Sequence, residues 1–450
     1  MNRLGKIGIC AALLLAVTLL PACGTFDAEP QTTPTPTVLP TPSPSPEPVI
    51  VVERSTPLAT PSPTPTEVPT PSPTPVPPPV YVTIGAVGDI MIPGGILWDA
   101  QTEDRLYDFH TLFAPFAELF SSVDLMCGNL EVPLAGKEVG YSGMKDEKTG
   151  LFSFNAPDSL LDTLKEYGVD MLTTANNHTF DKGVKGLRRT VETLRAAGFY
   201  QTGSYLDRED REKPCIVEVE GIRIGFVAST RLMNQAFKDV RGEEERTAVG
   251  YLTDPKDPER LSQDVLDDLA RVREAGAEFV IVFAHWDYAN TNPTAAITKG
   301  LARQLFEAGA DCIVGSHPHL IKGAEYVTVE REDGPYTGLV LYSLGDFTAN
   351  QSEEMMIGLF ACLTLEKNYE TGRVTLYDAA VIPTLTMRRK VEAGPRFTVM
   401  PIYTDTDRIT GLSEPLTETE IAALMRARAY ALNRLGSVEG LRLLDESSGE

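Results

Sequence analysis

Polar residues capable of chemistry recur at one kind of place in this chain, just beyond a short apolar run. Asp89 follows YVTIGAVG, Glu131 follows VDLMCGNL, and Asn176, Asn177 and His178 follow VDMLTTA. His285 follows FVIVFA, His317 and His319 follow CIVGS, and Asp346 follows LVLYSLG. The chain has 5 histidines, and four of them occupy such positions. A lone histidine after a strand is ordinarily a hydrogen-bonded loop or core residue; this repeated placement favours a shared site. Imidazoles, carboxylates and an amide oxygen, with no thiolate among them, suit a divalent cation such as Mn, Fe or Zn. His317 and His319 flank Pro318, which stiffens the turn and suits two imidazoles serving two adjacent ions. Two ions about 3.5–4 Å apart polarise a phosphoryl or carbonyl oxygen and generate a nucleophile from water.

The elements that must position these residues share one grammar. In LLDTLKEYGVDMLTTANNH an amphipathic helix runs to about Tyr167, Gly168 stops it, and a strand follows. REAGAEFVIVFAHWDY and LFEAGADCIVGSHPHL repeat that order. YVTIGAVGDIM and GLVLYSLGDF read as continuous apolar strands, expected where both faces of a sheet are covered. Alternating helices and buried strands define an α/β fold, and ligands in such folds bind beyond the carboxyl ends of the strands. AEYVTVE, IGLFACLTLE, GRVTLYDAAVI and RFTVMPIY lack intervening helices, so part of the sheet system is expected to be antiparallel. A helix over LTETEIAALMRARAYALNRLG, capped by Thr417 or Thr419, belongs to a C-terminal extension over 401–450 packed on the domain of 80–400.

The N-terminal part cannot build a core. Of 34 prolines in 450 residues, 18 fall between positions 31 and 80. Residues 23–79, with repeats such as TPTPT and TPSPSPEP, read as a disordered polyproline-II tether. Residues 1–22 carry Arg3 and Lys6 ahead of an apolar run, which is an export signal. Either it is a plain signal or anchor with an incidental Cys23, or Leu20-Pro21-Ala22-Cys23 is a bacterial lipobox whose cysteine is lipidated; the second is preferred. That predicts an extracytoplasmic protein held on the cell membrane and reaching into the wall. Cys127, Cys215, Cys312 and Cys362 have no C-x-x-C spacing, and three lie in apolar runs, where cysteine acts as a small hydrophobe. A net charge of −23 argues against a nucleic-acid partner.

The blocks GDIM, GNLE, ANNH, AHW, GSHPH and SLGDF, in this order, resemble the CapA capsule-synthesis family linked to poly-γ-glutamate. That family in turn resembles the calcineurin-like metallophosphoesterases, with their blocks DxH, GDxxD, GNH, a lone His and GHxH. The resemblance covers roughly residues 81–350. It implies a metallophosphoesterase-like sandwich of two mixed β-sheets flanked by helices, with a two-metal site at one edge. By the same resemblance, Asp89, Asn177, His285, His317 and His319 are metal ligands, and His178 is the non-ligand histidine that assists the leaving group.

Two departures stand out. Met91 replaces the His of DxH, and Asn129 stands at the register of the bridging Asp of GDxxD, so Glu131 is expected to supply the bridge. One ion would then have Asn177, His285, His317 and Glu131, and the other only Asp89, His319 and Glu131, which predicts two sites of unequal affinity. Asn129, Asn176 and Asp346 are expected behind the ligands. Lys182, Lys185, Arg188 and Arg189 form either a solvated helix face or a basic lip that draws in an anionic polymer. Two functions follow from the resemblance: a metal-dependent hydrolase or transferase acting on an anionic envelope polymer, or a non-catalytic protein that holds or exports it. The expected partners are that polymer, the membrane and membrane proteins of capsule synthesis.

Overall fold

The computed structural model describes residues 76–145, 147, 150–234, 242, 246–289, 291, 294–392 and 394–445. The export signal, Cys23 and the tether up to residue 75 lie outside the described residues.

Two mixed sheets carry the fold. The first contains β1 (Val80–Ile90), β2 (Leu125–Leu130), β3 (Met171–Thr173) and β4 (Tyr200–Thr202). The second begins with β5 (Cys215–Val219), β6 (Ile222–Thr230), β7 (Phe279–His285) and β8 (Cys312–Ser316). It is completed by β9 (Ile321–Arg331) and β10 (Gly334–Leu344). The chain then returns to the first sheet through β11 (Asp346–Thr348), β12 (Ile357–Asn368), β13 (Arg373–Val391), β14 (Gly394–Pro401) and β15 (Leu441–Leu443). The first sheet runs β14-β13-β12-β1-β2-β3-β4, with β11 beside β1 and β15 beside β13; the second runs β9-β10-β8-β7-β6-β5.

β1 to β4 are parallel, as are β6, β7, β8 and β10. β9 and β12 to β14 pair antiparallel, as expected for strands joined without helices.

Alternation along β7 shows how the layers form. Phe279, Ile281 and Phe283 join the core shared with the first sheet, alongside Phe226, Val314, Phe347 and Phe360. Val280 and Val282 face the other way, onto Val265 and Leu269 of α3 (Gln263–Glu274) and Leu301 and Leu305 of α4 (Ala296–Glu307). With both faces covered, the strand reads as uninterrupted apolar sequence. The helices end as their sequences require. α1 (Ser159–Glu166) closes on Tyr167, and Gly168 takes φ +95°, turning the chain into β3. α2 (Gly183–Ala196) buries Leu187, Val191 and Leu194.

The C-terminal segment carries the expected helix, α5 (Glu418–Leu435), which starts at a Thr417–Glu420 capping box, and β15 then adds a strand beside β13. The four cysteines after the tether are free thiols.

Candidate metal centre

Parallel strands deliver their carboxyl ends to one edge, and two glycines let the first sheet gather its carboxylates there. A Cβ on Gly88 would stand 1.9 Å from the Gly345 carbonyl oxygen, and Gly345 has φ +70°. Only this close approach lets β11 lie against β1. The Asp89 N–H donates to that carbonyl at 3.2 Å, and Asp89 is in register with Asp346 on one side and Asn129 on the other. The register slips between Val87 and Asp89, a bulge of the kind that re-aims a side chain. In the second sheet Thr230, His285 and Ser316 lie in register across β6, β7 and β8.

The turn after β8 is bent more sharply than its sequence suggests. His317 has φ +93° and His319 φ +57°, left-handed conformations that cost a non-glycine residue about 1–3 kcal/mol. The bend directs the His317 N–H onto Asp89 Oδ2 at 3.0 Å and brings His319 Nδ1 to 2.8 Å from Asp346 Oδ1.

The donor atoms converge without enough protons to join them. His285 Nε2 lies 2.7 Å from Asn177 Oδ1, 3.0 Å from His317 Nδ1 and 3.6 Å from Glu131 Oε1. A single ring N–H can serve only one of these acceptors. Burial pushes the imidazolium forms of His285 and His317 down, with repulsion from neighbouring histidines adding to it, so both rings are kept neutral and ready to ligate. Glu131 is fully buried and, among the described residues, neither carboxylate oxygen has a hydrogen-bond partner. Burial, then the charges of Asp89 and Asp346, raise its pKa well above the usual carboxylate range. A buried, uncompensated carboxylate is strongly unfavourable, and a divalent cation is the partner that relieves it.

Three sets of donor atoms lie within 4.8 Å of one another: Glu131, His317 and His319; Asp89, Glu131 and His285; Asp89, His319 and Asp346. The cluster therefore fits a divalent metal. The last set changes the ligand count made from sequence. Met91 is buried in the apolar core, its backbone held in both directions by the Thr348 hydroxyl. Asp346, expected behind the ligands, instead presents a buried Oδ2 with no partner. Burial raises the Asp346 carboxyl, His319 offsets part of that, and the result is about 6. Burial lowers His319, but the charge and hydrogen bond of Asp346, with Asp89 behind it, raise it to about 9.

The supporting residues are legible in their bonds. The Asn129 amide donates to Asp89 Oδ1 at 2.6 Å, so it orients that carboxylate. The Asn176 amide donates to the Leu130 carbonyl, and its oxygen accepts the His178 N–H, fixing the loop. His178 is outside the three donor sets. Its Nδ1 lies 2.7 Å from Asp181 Oδ2, leaving Nε2 facing Glu131 Oε1 at 3.9 Å.

The four basic residues expected as a lip lie along α2 and at its start, and three of them are also bonded to neighbouring elements. Lys182 donates to the Ser153 hydroxyl, Arg188 to the Leu206 carbonyl, and Arg189 pairs with Asp158. Lys185 alone of the four is exposed. Helical spacing placed them on one element, but three are used to fasten that helix to its neighbours.

Sequence reasoning missed Asp181, Asn234 and Arg231. Asp181 was readable, three residues after His178. Asn234 bonds Asn177 and Asp181 from a loop with no distinguishing sequence signal. Arg231 stands just beyond β6, the same position that singled out the other residues.

With this geometry in place, the family is clear. Residues 83–351 match the model for "Bacterial capsule synthesis protein PGA_cap", and the chain belongs to that family. It is similar to the capsule biosynthesis protein CapA of Bacillus anthracis, 25% identical over 276 residues. It is also similar to the PGA biosynthesis protein CapA of Bacillus subtilis, 27% identical over 267 residues. These matches cover 60% and 59% of this chain, and 60% and 62% of the relatives' own length. A solved structure of a phosphatase from Mycoplasma pneumoniae aligns over 68% of this chain and 93% of its own, at 13% identity and a TM-score of 0.38.

Proposed function

We propose that this chain is a lipid-anchored, metal-dependent enzyme that hydrolyses or transfers a bond in an anionic envelope polymer, with poly-γ-glutamate as the substrate. The observation that carries the reading is Glu131, fully buried beside the imidazoles of His285 and His317, with neither oxygen hydrogen-bonded among the described residues. Asn177, His285, His317 and Glu131 would hold one ion; Asp89, His319 and Glu131 would hold the other, with Asp346 as a further donor where Met91 has none to offer. Mn, Fe or Zn all suit this set.

Bound divalent ions supply Lewis-acid polarisation of an electrophilic oxygen. The chain supplies the rest. Asp181 holds the His178 ring by Nδ1, so Nε2 is the atom that gives a proton to a leaving group at the cluster's edge. Asn129 and Asn176 fix Asp89 and the histidine loop. Attachment through Cys23 places this edge outside the cell membrane, beside membrane proteins of capsule synthesis, and Cys23→Ser is expected to move the protein out of the membrane fraction.

The functional test is turnover of γ-glutamyl polymer and of phosphoesters by the metal-loaded full chain. His178→Ala should lower the rate by about 10²–10⁴-fold with bound metal unchanged. Absence of turnover on both substrates by the unaltered protein would contradict the enzyme. It would leave the non-catalytic polymer-holding protein, a reading favoured by an amide at the register where a bridging carboxylate is expected.

A further inference from the structure

The row of residues at the carboxyl ends of the second sheet extends one strand beyond the candidate metal ligands. β8 ends before His317, β7 ends in His285, and β6 ends before Arg231. The Arg231 N–H donates to the His285 carbonyl at 2.9 Å, tying its backbone to that of a candidate ligand. Its guanidinium carbon lies 5.2 Å from the centre of the Tyr288 ring, which supports it from one side. Nε and Nη1 are both buried, and among the described residues neither has a hydrogen-bond partner. Burying guanidinium N–H groups unpartnered is unfavourable, and Arg231 is the kind of donor that recognises carboxylate and phosphate. It borders a cavity of about 590 Å³ whose lining also includes Arg246, Tyr251, Ser262 and the acidic side chains of Asp254 and Asp264.

We propose that Arg231 forms an anion subsite beside the metal cluster, gripping a carboxylate or phosphate group of the substrate while the adjoining bond lies at His285 and His317. For a γ-glutamyl polymer that group is the free carboxylate of a neighbouring residue; for a phosphoester it is the phosphate. The inference rests on the proposed reading of the site as one that accepts an anionic polymer. It explains how an acidic chain, whose expected basic lip is tied up in fold contacts, still selects an anion.

The test is calorimetric binding to the Mn²⁺-loaded full chain of three probes: a γ-glutamate oligomer, the same oligomer with its carboxylates amidated, and inorganic phosphate. Arg231→Ala should weaken binding of the oligomer on the order of 10- to 100-fold. The amidated oligomer should bind both proteins equally. Arg231→Gln, which retains packing on Tyr288, should show the same loss if Arg231→Ala fails to fold. An Arg231-dependent loss for phosphate alone would keep the subsite but contradict the γ-glutamyl substrate. Arg231-dependent binding without turnover would keep the subsite but contradict the enzyme. Oligomer and phosphate affinities within about twofold of the unaltered protein in a folded variant, with metal content unchanged, would overturn the subsite.

Discussion

The parallel and antiparallel parts of this molecule are built from equally apolar strands but do different work. β1, β2, β3, β7 and β8 run parallel within their sheets and end in or just before Asp89, Asn129, Glu131, Asn177, His285 and His317. β12, β13 and β14 run antiparallel, bury Phe360, Val381 and Val399, and supply none of the donor sets found among the described residues. The difference follows from direction. Parallel strands bring all their carboxyl ends to one edge, whereas antiparallel neighbours send theirs to opposite edges. A multi-residue metal cluster is therefore easiest to assemble on the parallel part, and the antiparallel wing serves to bury the other side of β1.

Substitutions can break this division. The largest effect is expected from His317→Ala, which should lose bound metal and any turnover together while leaving the wing folded, read by metal analysis and circular dichroism. Phe360→Ala should do the reverse, destabilising the protein by about 3–5 kcal/mol in denaturant melts while the folded fraction keeps its metal. Metal loss in both would show that the two parts are one cooperative device.

A smaller effect sharpens the role of Glu131. Its folded pKa is raised above the usual 4.5, so in chelator its stabilising contribution is present below that pH and is lost as pH rises toward the folded value. Glu131→Gln should therefore raise metal-free stability at neutral pH by ~1–3 kcal/mol while weakening metal binding. His285 and His317 are depressed, so their contribution is lost in the opposite direction, as pH falls below about 6.5. A metal-free melting curve for Glu131→Gln that matches the unaltered protein at neutral pH would remove Glu131 from the centre of the account.

Much of this arrangement was legible before the structure. The strand-end rule found the donors because apolar runs and the residues after them are local in sequence. The antiparallel wing was legible because no helical segments separate its strands. The placement of Asp346 beside Asp89 was not legible, since it depends on Gly88 and Gly345 meeting across 257 positions, a contact no local pattern encodes. The bonds of the basic helix were hidden for the same reason: spacing put its cations on one element, while Ser153, Asp158 and Leu206 from elsewhere decided what three of them touch. The C-terminal strand β15 was missed because three residues, Leu441 to Leu443, are too few to show a period.

The most direct test is the metal content of the unaltered full chain after expression in metal-supplemented medium and dialysis. If Asp346 serves as the fourth donor at the Asp89 end in place of Met91, as proposed, two divalent ions per chain are predicted. No ion above background, or the same content in His317→Ala, would contradict the claim that this buried cluster is a metal centre.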